Sequence, residues 1–127
     1  MAKRQKPIEI QLQRAYVEPG LDDGYRVLVD HYWPRGRSKD SLKLDEWAKD
    51  LAPDTELIKW FGHRPERGEE FRRRYRGWLD ESAQVARLKQ LFDAAEGRRT
   101  TLIYGARSED ENQAVVIREA LLELARR

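Results

Sequence analysis

The chain has 127 residues, with 25 Lys and Arg against 23 Asp and Glu for a net charge of +2, and 39% hydrophobic residues including four Trp, five Tyr and three Phe. That length fits one domain of ordinary size, and the apolar and aromatic content can close one core, which sets aside two domains and global disorder. With no Cys, disulfides, thiolate zinc sites, iron-sulfur clusters and a cysteine nucleophile are excluded.

Ile8, Ile10 and Leu12 alternate with Glu9, Gln11 and Gln13, the period of a strand with one covered face. The turn signals Pro19-Gly20 and Asp22-Asp23-Gly24 precede Tyr25-Arg26-Val27-Leu28-Val29, a second strand whose near-continuous apolarity is that of buried strands. A third strand is predicted at Thr100 to Tyr104, between Gly97-Arg98-Arg99 and Gly105. Between the second and third strands the period becomes helical. A short helix is predicted over Leu42 to Lys49, another after Asp54 with Leu57, Ile58 and Phe61, and a third from Pro65 with Phe71, Tyr75, Trp78 and Leu79 on one face. Ser82 is read as the cap of a fourth helix that stops at Gly97. Ser108 and Glu111 have capping-box spacing and predict a fifth helix, with Asn112 one turn inside it. The first seven residues, with Lys3, Arg4 and Lys6, read as a loose basic tail.

These elements predict one α/β domain over residues 1–127, a small, mostly parallel three-stranded sheet packed by about five helices. The second and third strands are expected to be parallel. Arg14 to Gly24 is short for a helical crossover, which leaves the first strand open to antiparallel pairing with the second.

The segment after the second strand, Asp30 to Lys39, carries the densest binding chemistry. Ligands of open α/β sheets sit beyond the carboxyl ends of strands, and this loop leaves such an end. Arg35, Arg37 and Lys39 supply positive charge, Trp33 a flat stacking face, and Gly36 room for close backbone approach. Pro34 fixes its own φ and biases Trp33 toward an extended conformation, so a rigid turn anchored by the indole is predicted. After the third strand, Gly105-Ala106-Arg107 leads into the last helix, and Arg107 and Asn112 are expected at the same crevice, beside Glu109, Asp110 and Glu111, which would repel an anion. Were the site catalytic, His31 or Asp30 would be the general base. No histidine has metal-ligand spacing, so no metal site is assigned, and no cofactor is specified.

The reading is therefore a binder of an anionic small molecule, a phosphorylated metabolite or a nucleotide, with enzymatic activity left open. The alternative is a nucleic-acid-associated protein using Arg72, Arg73, Arg74 and Arg76, whose bland explanation is a solvated helix face beside Glu66, Glu69 and Glu70. No Walker loop, dinucleotide fingerprint or hydrolase elbow is present. With no signal-like start and no apolar run of about 18 residues, a cytoplasmic protein without a membrane partner is expected; oligomeric state is not specified.

Asp23-Gly24-Tyr25-Arg26-Val27-Leu28-Val29-Asp30, followed by Trp33-Pro34-Arg35-Gly36 and Ser38-Lys39, resembles the signature of the YeaO-like proteins of the domain-of-unknown-function 488 family. The likeness continues through Asp45, Trp47, Leu51-Ala52-Pro53, Trp60-Phe61, His63, Phe71, Tyr75, Leu102, Tyr104, Asn112 and Ala114-Val115. His31 stands where that family usually has Arg, Arg64 where Asp follows the histidine, Gly68 where Trp is common, and Arg107-Ser108 where Lys-Asp is usual. The resemblance implies a compact α/β domain with a pair of loops at one sheet end, and it transfers no reaction.

Overall fold

The computed structural model describes residues 8–107 and 112–126. Its sheet has four strands, β1 (Ile10–Arg14), β2 (Tyr25–Leu28), β3 (Glu46–Trp47) and β4 (Thr100–Tyr104), in the order β1-β4-β2-β3. All three pairings are parallel, with Leu12 opposite Leu102 and Val27 opposite Leu102 in the centre. The helices are α1 (Lys39–Leu42), α2 (Thr55–Phe61), α3 (Gly68–Leu79), α4 (Ser82–Ala95) and α5 (Gln113–Ala125). No helix among the described residues is long and apolar enough to cross a membrane.

Alternation along the strands sorts the side chains between two layers. Val27, Val29, Leu102 and Tyr104 join Phe61, Phe71, Tyr75, Leu79, Leu88, Leu91, Ile117 and Leu121 in the main core. Leu28 and Ile103 face the other way, onto Ala15 and Leu42, with Trp33 and Leu44 packed against them. The long helices thus cover one face, while α1 and neighbouring loop residues cover the other. Crossovers of one hand require this, because β2 to β3 runs outward and β3 to β4 runs back.

The main core is closed by a polar anchor as well as by apolar contacts. Tyr75 is fully buried, and its hydroxyl donates to the Leu51 carbonyl at 2.5 Å. Tyr75→Phe is expected to lower stability by about 1 to 2 kcal/mol in denaturant unfolding, because that carbonyl would stay buried without its partner.

Four expectations need correction. The sheet has a fourth strand, β3, inside the segment read as the helix Leu42 to Lys49, and the helix there is the earlier α1. Lys43 turns left-handed at φ 48° and ends α1, after which Asp45 N–H bonds Arg26 O and Ala48 N–H bonds Leu28 O, both at 2.8 Å. The edge of β2 captures this backbone, and a tertiary ladder outweighs helix propensity. The first strand does not pair with the second; β1 lies parallel to β4, and residues 15–24 connect it to β2 without a helix. Asn112 is not inside the last helix but caps it, its side-chain oxygen accepting from Ala114 and Val115 N–H at 2.9 and 3.2 Å. Ser82 is the first residue of α4, and Glu81 occupies the cap position. The Ser108 and Glu111 pair lies outside the described residues.

Candidate functional site

Chain leaving β2 passes to α1 on one face of the sheet, whereas chain leaving β4 passes to α5 on the other. The carboxyl ends of β2 and β4 are therefore the place where the connections diverge, the position at which open α/β sheets hold ligands. Asp30 stands there. Its Oδ2 accepts the Gly105 N–H at 2.8 Å and its Oδ1 accepts from the Gln113 side-chain amide, so one carboxylate ties β2, the loop after β4 and the first turn of α5. A side chain at position 105 would put Cβ 2.9 Å from Oδ2, which is why glycine fits there. Burial pushes the Asp30 carboxyl up to about 6, against the downward pull of both hydrogen bonds. Burial raises the Tyr75 hydroxyl well above its ordinary value, and the Asp30 charge adds to that shift.

In the turn after Asp30 the indole of Trp33 is packed and hydrogen-bonded. Pro34 is buried, and the half-buried Trp33 packs on the Leu28 and Ile103 cluster while its indole N–H donates to Arg37 O at 2.6 Å. Trp47 meets Trp33 edge-on at 5.4 Å between ring centroids and donates its own N–H to Asp30 O at 2.8 Å. Gly36 takes φ 82°, a left-handed conformation that suits glycine.

The cations occupy different positions. Arg35 and Arg107 are exposed, and neither side chain has a hydrogen bond or ion pair among the described residues. Both of their loops are tied to the end of β1 and the turn after it, since the Tyr16 hydroxyl donates to Arg35 O at 3.1 Å and Arg14 Nε donates to Ala106 O at 3.0 Å. The Arg14 guanidinium also lies over the Tyr16 ring at 5.4 Å. Arg37 turns inward, donating to Ser41 O at 3.0 Å, and Lys39 is the exposed first residue of α1. Asn112 is buried as the cap of α5.

His31 is half-buried and meets Tyr32 edge-on at 4.7 Å, and no hydrogen bond joins it to Asp30 among the described residues. Among the described residues, no group of three or more acidic, histidine or cysteine side chains is placed to hold a metal ion. Arg14, Tyr16 and Gln113 were not singled out by sequence, and Trp47 entered only through the family likeness. The first two adjoin the end of a strand and were legible in principle from that position, while no local pattern marks Gln113.

The arginine-rich face of α3 is neutralised. Arg73 and Arg74 both pair with Glu70, at 2.6 and 2.7 Å, and Arg72 pairs with Glu119 at 2.6 Å. Arg76 pairs with Asp80 at 3.2 Å and also with Glu123.

Comparison with known proteins gives a consistent assignment. A family model described as "Inactive DUF488-N3 subclade" matches residues 9–127. The chain is 39% identical over 117 residues to the uncharacterized protein YeaO of Escherichia coli, covering 92% of this chain and 100% of that protein. It is 45% identical over 82 residues to the uncharacterized protein Rv3073c of Mycobacterium tuberculosis, 65% of this chain and 70% of that one. No solved structure matches. With the family model spanning nearly all of the sequence and a relative aligned along its whole length, this chain belongs to the DUF488 family.

Proposed function

We propose that the protein binds an anionic small molecule, a phosphorylated metabolite or nucleotide, at the carboxyl ends of β2 and β4, between the loops that carry Trp33, Arg35 and Arg107. The observation that supports this most is the rim itself. Tyr16 and Arg14 fasten the two cationic loops through their backbones, which leaves the Arg35 and Arg107 guanidiniums uncommitted among the described residues. A guanidinium on a fixed backbone loses less freedom on meeting a carboxylate or phosphate.

Binding is favoured over turnover. Asp30 has both oxygens engaged in holding the crevice together, and it is not in contact with His31 as a dyad would be. The family group is described as inactive, which agrees with a binding role. The nucleic-acid alternative is disfavoured by charge, since Arg72, Arg73, Arg74 and Arg76 face four carboxylates, Glu70, Asp80, Glu119 and Glu123. A neutral face provides little steering for a polyanion.

Thermal unfolding with adenosine monophosphate, adenosine triphosphate, ribose 5-phosphate and pyrophosphate tests the reading. At least one probe is expected to raise the midpoint, since a ligand at about 100 times its Kd contributes about 2.7 kcal/mol. Arg35→Ala and Arg107→Ala should each weaken that probe by roughly tenfold or more, as loss of a charged hydrogen bond does. A response to none of them, or unchanged affinity in the double variant, would count decisively against the assignment.

A further inference from the structure

We infer that Arg26 and Arg37 form a second, interior site for an oxyanion, a carboxylate or phosphoryl group, beneath α1. It does not depend on the crevice reading and uses neither Arg35 nor Arg107.

Arg26 lies on β2 with 5% of its surface exposed, on the sheet face that α1 covers. Its Nε donates to Leu42 O at 3.0 Å, and its Nη1 donates to Gln13 Oε1 at 2.7 Å and Asp23 Oδ2 at 2.5 Å. Its Nη2 is enclosed without a partner. Arg37 reaches the same helix, donating Nη2 to Ser41 O at 3.0 Å, and its Nε is likewise enclosed without a partner. These are the only two such buried side-chain atoms among the described residues. Because their acceptors are consecutive carbonyls, both guanidiniums sit at the last turn of α1.

The charge balance points the same way. Asp23, itself 5% exposed, pairs with Arg26 and accepts from Gly20 N–H and Gln11, while Arg37 has no carboxylate partner among the described residues. The two guanidiniums share one carboxylate partner, since the exposed Asp45 is taken by the Arg26 backbone N–H, and the unused N–H groups are costly where they are enclosed. An oxyanion in reach of both guanidiniums would satisfy both, and the planar fork of N–H donors matches oxygen pairs better than it matches a spherical ion. α1 is the element that both guanidiniums contact. That helix is four residues long, and its Ser38–Ser41 capping box is exposed.

The test is a titration of sodium phosphate and of sodium acetate against sodium chloride at constant ionic strength, followed by thermal unfolding and by the arginine Nε–H resonances of the whole protein. Phosphate or acetate is expected to raise the midpoint saturably and to move the Arg37 Nε–H signal. Arg37→Gln should weaken the effect at least tenfold, and the Arg35→Ala, Arg107→Ala double variant should leave it within about twofold. A wild-type protein with neither response overturns the inference without touching the crevice assignment, which rests on larger ligands. Equal response in Arg37→Gln also overturns it, as does loss in the double variant alone, which would move the effect to the crevice. The resonance shift in unmodified protein keeps the test valid should Arg37→Gln fold poorly.

Discussion

Asp30→Asn is expected to stabilise the protein by about 2 kcal/mol near pH 7.5 and to change it little near pH 4. The Asp30 carboxyl titrates at about 6 in the fold, against about 3.9 in an unfolded chain. A group whose pKa is raised by folding contributes its stability fully below the unfolded value and loses it as pH climbs through the folded one. At neutral pH the folded protein therefore bears the cost of a partly buried negative charge. Two pH units correspond to nearly 3 kcal/mol, discounted to about 2 because the residue is only partly buried. Asparagine is nearly isosteric, and it keeps one oxygen for the Gly105 N–H while the Gln113 amide can turn to accept from the new NH2. Denaturant unfolding of both proteins at the two pH values reads the difference directly. A gap that does not close on acidification, or a variant less stable at neutral pH, would show that the carboxylate is held favourably. The expected gain would mark Asp30 as a residue set by something other than stability.

The parts of the fold legible in sequence are those with strong local periodicity. The β2 and β4 runs, the aromatic stripe of α3 and the Asp54 cap of α2, whose Oδ1 accepts Leu57 N–H at 2.8 Å, all lie where pattern and propensity agree. What failed was governed by partners distant in sequence. Glu46–Trp47 forms a strand because the outer edge of β2 needed pairing, and no two-residue strand has a period to read. The parallel placement of β1 beside β4 joins segments some 90 residues apart, through pairs such as Ile10 with Thr100. Nothing local in the Ile8 to Gln13 alternation records that choice.

The site divides in the same manner. Trp33 and Pro34 behave as their chemistry implies, because a proline and a large indole constrain the chain wherever they are placed. Arg37 could not be separated from Arg35 in sequence, since both are cations in one loop; only the path of the turn sends one inward to Ser41 and the other outward. Arg26 was hidden more thoroughly. A charged residue within an apolar run reads as an exception to the strand, and its burial depends on Asp23, Gln13 and Leu42, contributed by three different segments.

Gly24→Ala is expected to cost about 4 kcal/mol or more, enough to leave a marginally stable domain largely unfolded. Gly24 has φ +69°, where an L side chain is strained by about 1 to 2 kcal/mol. The larger contribution is steric, because a Cβ there would lie 2.0 Å from the Arg99 carbonyl oxygen and 2.9 Å from its carbon. Relief is blocked on both sides. The same oxygen accepts the Tyr25 N–H at 2.7 Å, the bond that starts the β2 and β4 pairing, and Arg99 Nη1 donates to Asp22 O at 3.1 Å across the same junction. Moving the backbones apart would therefore break the central pair of the sheet at its amino end, under the main core. Gly36→Ala is the control, for its φ of +82° carries comparable strain but nothing lies within 4 Å of the added Cβ; it should cost only about 1 to 2 kcal/mol. Side-by-side denaturant midpoints and soluble yields measure both. Equal costs would mean that the close approach of Gly24 to Arg99 is not what pins β2 to β4.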